Sequence, residues 1–187
     1  MTPKGKIRAA MLIFLCVTVV FSVSFTVFNA AIKLSYPIKY EEYVEKYSRE
    51  FGVEENLIYA IIKTESSFNP DAVSSANAGG LTQITPETFE WLKIKLGEEN
   101  KDLSLFDPET SIKYGAFFIS YLLNEFGDTD TAVAAYHAGR GRVNGWLEDK
   151  ELSPDGKTLL KIPVSETAHY VKKINKALNV YNNLRKD

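Results

Sequence analysis

Residues 56–83 read NLIYAIIKTESSFNPDAVSSANAGGLTQ: an apolar segment, a glutamate, then a stretch rich in proline, serine and glycine. Leu57, Ile58, Ile61 and Ile62 recur at i, i+1, i+4 and i+5, the spacing of a helix with one buried face. Glu65 closes that helix. The helix macrodipole disfavours an anion at a C-terminus, and Ile61, Ile62 and Phe68 would strip water from the carboxylate. Both effects raise its pKa toward that of a general acid. On the helix alone, a glutamate at a frayed end pointing into water fits at least as well.

Beyond Glu65, Asn69-Pro70 and Gly79-Gly80 exclude continuous helix, so residues 67–84 are expected to form a long ordered loop or a short irregular hairpin. Connections of that length commonly carry function. The two glycines allow close backbone approach or positive φ. Gln83 offers a donor and an acceptor, either to an acetamido or hydroxyl group or to the turn's own backbone.

Four blocks of the sequence share a pattern. They are Glu65 with Phe68-Asn69-Pro70 and Ser74, then Gly80-Leu81-Thr82-Gln83, then Ala134-Ala135-Tyr136-His137-Ala138-Gly139, and finally Glu166-Thr167 with Tyr170-Val171. In this order, between residues 53 and 180, they resemble the soluble lytic transglycosylase family. The resemblance implies a mostly α, lysozyme-like (goose-type) fold and cleavage of peptidoglycan. It further implies Glu65 as sole catalytic acid and base, with Ser74, Gln83, Tyr136, His137, Glu166 and Tyr170 holding the sugars. Thr82 and Thr85 stand where the family has methionine, and His137 where it has asparagine. These departures bear on sugar-contact geometry, since imidazole lacks the paired donor and acceptor of an amide.

With 187 residues there is room for one domain of about 155 residues and a short appendage. Charged residues are 25%, aromatics 12%, and the net charge is -2, an ordinary globular balance that argues against nucleic-acid binding. With two histidines and one cysteine, Cys16, there is neither disulfide nor zinc-site spacing, and no metal or cofactor is expected.

Lys4, Lys6 and Arg8 precede an uncharged run from Ala9 to Ile32. As a helix that run reaches roughly 36 Å, more than the roughly 30 Å of a bilayer's hydrocarbon core. Its length exceeds a signal-peptide h-region and Asn29-Ala30-Ala31 is a poor cleavage site, so an uncleaved anchor is favoured. The leading positive charges put the N-terminus in the cytoplasm and residues 33 onward outside, at the cell wall. Cys16 reads as a small apolar residue in the membrane rather than a lipidation site. The expected organisation is an anchor at 1–32, a tether at 33–38 and a catalytic domain at 39–187.

Within the domain, Tyr40, Tyr43, Val44, Tyr47 and Phe51 trace a core-facing helix ending at Gly52. Thr85-Pro86 and Asp107-Pro108 are N-caps with proline in the first turn. The second opens a long central helix, through Ile112, Ile119 and Phe126 to Gly127. A small-residue helix follows from Asp128 to Ala138. Gly139, Gly141 and Gly145 bracket a short basic turn, whose Arg140 and Arg142 meet either solvent or an anionic stem peptide. Residues 149–161 read as an exposed excursion, and Pro163–Leu184 as the last helix.

About seven helices after the anchor are therefore expected. The implied reaction cleaves the β-1,4 bond between N-acetylmuramic acid and N-acetylglucosamine to a 1,6-anhydro product. A hydrolytic muramidase and a non-catalytic wall-binding module are the alternatives. The implied partners are glycan strands and the membrane, and a monomer is expected.

Overall fold

The computed structural model describes residues 3–186, with side chains described except at 4–10 and 13. Among these residues are eight helices and no strand. The chain divides into two compact units, one up to Pro37 and one from Ile38 on.

The first unit is α1, Pro3–Ser35. It continues three residues into the stretch expected to be a tether. Within it Phe14–Ser35 forms a window of 22 residues with mean hydropathy 2.1, none of it buried by protein, long and apolar enough to cross a membrane. Phe14, Phe21, Phe25 and Phe28 all stand exposed on it. The Lys4, Lys6 and Arg8 side chains, on which the expected orientation rests, lie outside the described ones.

The second unit contains α2 (Glu41–Phe51), α3 (Glu55–Glu65), α4 (Pro86–Leu96), α5 (Pro108–Phe126), α6 (Thr129–Ala138), α7 (Arg140–Glu148) and α8 (Ser165–Leu184). Its core is built around α3, in which every residue from Leu57 to Ile62 is buried. Such a helix must be covered on all sides, and α2, α5 and α8 pack against it. Each buried isoleucine contributes roughly 1.5–3 kcal/mol of transfer free energy. α5 is the central hydrophobic element expected from its apolar stripe, touching α2, α3, α4 and α6.

Local chemistry sets the helix ends. Thr85, Asp107 and Asp128 cap α4, α5 and α6 by accepting the N–H of Thr88, Thr110 and Thr131. Gly127 ends α5 at φ 67°, a left-handed conformation that costs glycine no Cβ clash. Between α4 and α5, Glu98 accepts hydrogen bonds from Lys101 Nζ at 2.5 Å, Lys113 Nζ at 2.8 Å and Tyr114 Oη at 2.7 Å, tying that connection to α5.

Two expectations need correcting. Residues 140–148 form helix α7 rather than a basic turn. Val143 and Leu147, one helical turn apart, are both buried, and that packing outweighs the roughly 1 kcal/mol that each interior glycine costs a helix. The 149–161 excursion is only partly exposed. Ser153 is fully buried, and the Leu159 N–H bonds Thr131 Oγ1 at 3.3 Å.

Candidate active site

The connection from α3 to α4, residues 66–85, is an ordered loop with two isolated antiparallel bridges, Val73–Gly79 and Gly79–Ile84. It is pinned beside the end of α3, where Ser66 Oγ donates to Leu81 O at 2.9 Å. Backbone strain concentrates here: Ser67, Phe68, Asn77 and Gln83 all have positive φ. Each such residue costs of order 1–3 kcal/mol unless its surroundings enforce it. Gly80, at φ 75°, lies so close to the α4–α5 connection that a Cβ would meet Leu105 O at 1.9 Å. No other residue fits there.

Thr82 is buried under this loop and bonded to α5. Its Oγ1 donates to Ser111 O at 2.8 Å, and its N–H bonds Ser111 Oγ at 3.2 Å. A Cβ on Gly115 would lie 2.5 Å from the Thr82 side chain, so the glycine makes the room. The threonine that departs from the expected methionine is thus a structural member of the loop, with a polar seat built for it. The Thr82 carbonyl then accepts Tyr136 Oη at 2.9 Å, fixing the tyrosine at the end of α6.

Glu65 opens into a pocket of about 510 Å³ lined by Thr64, Glu65, His137, Ser165, Glu166, His169, Tyr170 and Lys173. Its Oε1 accepts Tyr170 Oη at 2.6 Å. Burial pushes its pKa up, the Tyr170 hydrogen bond offsets only part of that, and the carboxyl titrates at about 7. No other carboxylate contributes to that shift. Around it, Tyr170 and Tyr136 are held well above the usual phenol range, first by burial and then by the nearby Glu65 charge, so both remain donors. His137 stacks on Tyr170 with ring centroids 4.5 Å apart, and its Nδ1 lies 3.2 Å from Thr167 Oγ1. Burial lowers its pKa, against the pull of Glu166, and keeps the imidazole neutral.

Of the residues singled out in the sequence, Glu65, His137, Glu166 and Tyr170 therefore share one pocket, and Tyr136 lies within electrostatic reach of Glu65. Gln83 and Ser74 belong to the loop rather than the pocket lining. Gln83 Nε2 donates to Ala72 O and Gly80 O, both at 2.9 Å, and Ser74 Oγ accepts the N–H of Ala76 and Ala78. The donor half of the Gln83 amide is spent on its own turn. Thr64, Ser165, His169 and Lys173 were not foreseen. Lys173 and His169 follow Glu166 at i+7 and i+3, one face of α8, a spacing visible in the sequence once Glu166 is placed at the site. Among the described residues no group of three His, Cys, Asp or Glu converges to hold a metal ion.

The transglycosylase SLT domain matches residues 42–158. The chain is 33% identical over 143 residues to a soluble lytic murein transglycosylase of Salmonella typhimurium, covering 74% of this chain and 22% of that protein. It is 35% identical over 172 residues to a membrane-bound lytic murein transglycosylase C of Mannheimia succiniciproducens, covering 79% of this chain and 48% of that one. It thus spans less than half the length of these relatives. Among solved structures, the soluble lytic transglycosylase of Escherichia coli superposes with a TM-score of 0.72 at 30% identity, covering 83% of this chain and 26% of that one. A lytic transglycosylase of Pseudomonas aeruginosa, solved as an inactive glutamate-to-glutamine mutant, gives 0.70 at 28%, covering 82% and 25%. The mostly α, lysozyme-like fold expected from the sequence is the fold found.

Proposed function

Because the chain belongs to the transglycosylase SLT domain family, we propose that it cleaves the β-1,4 bond between N-acetylmuramic acid and N-acetylglucosamine in peptidoglycan, with Glu65 as the only acid and base. The observation that carries this reading is a carboxyl held protonated by burial up to about 7 inside a pocket, with Tyr170 bonded to it. At neutral pH about half the molecules hold the proton that a general acid must give.

In the proposed cycle, protonated Glu65 gives its proton to the bridging oxygen as the C1–O bond breaks, and the N-acetylglucosamine leaves as an alcohol. The muramoyl N-acetyl group stabilises C1, the role that a second carboxylate has in other glycosidases. The C6 hydroxyl then attacks C1, and the Glu65 carboxylate takes its proton. The product is a 1,6-anhydro ring and the enzyme is restored. Tyr170 orients the carboxyl through its hydrogen bond, and Tyr136, neutral His137, Glu166, Gln83 and Ser74 are assigned to the walls that receive the two sugars. For Gln83 the free group is its carbonyl oxygen.

The long exposed apolar face of α1 supports a membrane anchor, with residues 33–38 as tether and the domain from 39 onward outside the cell. No soluble protein gains by leaving such a surface in water. Glu166 in the same pocket favours one second reading, hydrolysis, if it holds a water at C1. Mass spectrometry of muropeptides released from purified sacculi separates the two. Transglycosylation yields products one water lighter, with no end that borohydride reduces; hydrolysis yields reducible muramic ends.

A further inference from the structure

One wall of the Glu65 pocket is a single face of α8, where Ser165, Glu166, His169, Tyr170 and Lys173 recur at helical spacing and all line the cavity. Glu166 and Tyr170 have places in the reaction proposed above. Lys173 has none. It stands one turn beyond Tyr170, whose hydroxyl bonds Glu65, so a cation lines the same cavity as the reacting carboxyl. Its charge is not spent inside the protein: among the described residues no ion pair and no cation–ring contact involves it. Glu166, of opposite sign in the same wall, lies seven residues earlier, roughly 10.5 Å back along the helix axis. Lys172 and Lys176 are exposed on the same helix but do not line the pocket.

That charge has a chemical consequence. The ring hydroxyls and N-acetyl groups of the two sugars flanking the cut are neutral, and Thr64, Ser165 and His137 supply neutral donors and acceptors suited to them. An ammonium selects an anion. Muramic acid carries one on its 3-O-lactyl substituent: the lactyl carboxylate itself where the stem peptide has been removed, or the carboxylates of acidic peptide residues where it remains. His169, one turn before Lys173 on the same face, adds a ring nitrogen that can bond the same group.

Resting on the function proposed above, we infer that Lys173, seconded by His169, reads a carboxylate on the muramoyl substituent and so decides which muramoyl residue is seated for cutting. Neither residue belongs to the sequence blocks that carry the family resemblance, so this selectivity is separable from the shared acid.

The test uses the full chain in detergent and three glycan tetrasaccharides: one with free lactyl carboxylates, one with those groups converted to neutral methylamides, and one bearing stem peptides. Lys173→Gln, at an exposed position, is expected to raise KM roughly tenfold with kcat unchanged on at least one of the two charged substrates, and to leave the methylamide unaffected. The substrate that responds identifies which carboxylate is read. Lys173→Arg should restore binding, and Lys172→Gln, which removes the same charge from outside the pocket, should change nothing. Equal losses on all three substrates, no loss on any, or a matching loss with Lys172→Gln overturns the assignment of Lys173 while leaving the proposed reaction standing. If the wild-type chain cuts none of the three, the assignment and the reading beneath it both fall.

Discussion

Two glutamates in this domain sit at or just past a helix end, and each accepts a hydrogen bond from a buried tyrosine. Glu65 at the end of α3 takes one from Tyr170 at 2.6 Å, and Glu98 after α4 takes one from Tyr114 at 2.7 Å. Their protons behave in opposite ways. Burial raises both, but at Glu98 the ammonium groups of Lys101 and Lys113 outweigh it and hold the carboxyl at about 2. Glu65 has no cation bonded to it and titrates at about 7. A fully compensated carboxylate is a staple; an under-compensated one is a proton donor. The second kind stands beside the strained loop.

Breaking the functional side of the comparison has the largest effect. Glu65→Gln is expected to lower cleavage by about 10²–10⁴-fold or more, since the amide neither gives nor takes the proton. Stability moves the other way. A carboxyl with a raised folded-state pKa loses stability as pH climbs from about 4.5 to about 7, on the order of 3 kcal/mol in all. The amide removes that slope, so denaturation of the two proteins at pH 5 and pH 8.5 should show the variant gaining at the higher pH. A variant that loses stability at pH 8.5 contradicts the assignment.

Breaking the structural side comes next. Glu98→Gln leaves the half-buried Lys113 ammonium without its counterion, at a cost of about 3 kcal/mol, with activity on sacculi retained below the melting temperature. Here the folded pKa is depressed. The native advantage is present above about 4.5 and is lost as pH falls through about 2, so the wild-type and variant denaturation curves should converge in acid.

The contrast also marks what the sequence discloses. Glu65 was legible because its determinants are local: an apolar helix ends at it and a loop of characteristic residues follows. Tyr170, whose bond orients it, came only from the resemblance, being 105 positions away. Glu98 carried no signal, since Lys113 and Tyr114 reach it from another helix. The caps of α4 and α5 were readable for the same local reason. α7 was not, because Gly139 before it and Gly141 and Gly145 within it argue for a turn, and only the burial of Val143 and Leu147 shows why they yield. Gln83 was left open between a ligand and its own turn, and its donor is committed to carbonyls of residues 72 and 80, an arrangement visible only once the loop has closed.

A smaller change sharpens the comparison. Tyr170→Phe removes the hydrogen bond that lowers the Glu65 pKa, so the limb of the pH–rate profile that reports Glu65 should shift to higher pH. The lost orienting bond should cost about 1–2 kcal/mol, roughly tenfold in kcat/KM. An unshifted limb would mean that another group sets it.

The most direct measurement is a carbon-detected NMR titration of the side-chain carboxyls, with Glu65→Gln and Glu98→Gln used to assign the two signals. The Glu65 resonance should move with a midpoint near 7, while that of Glu98 stays in its ionised position down to about 2. A Glu65 midpoint at or below the ordinary glutamate value of about 4.3 would leave no proton to donate at neutral pH, and the acid role assigned to it would fail.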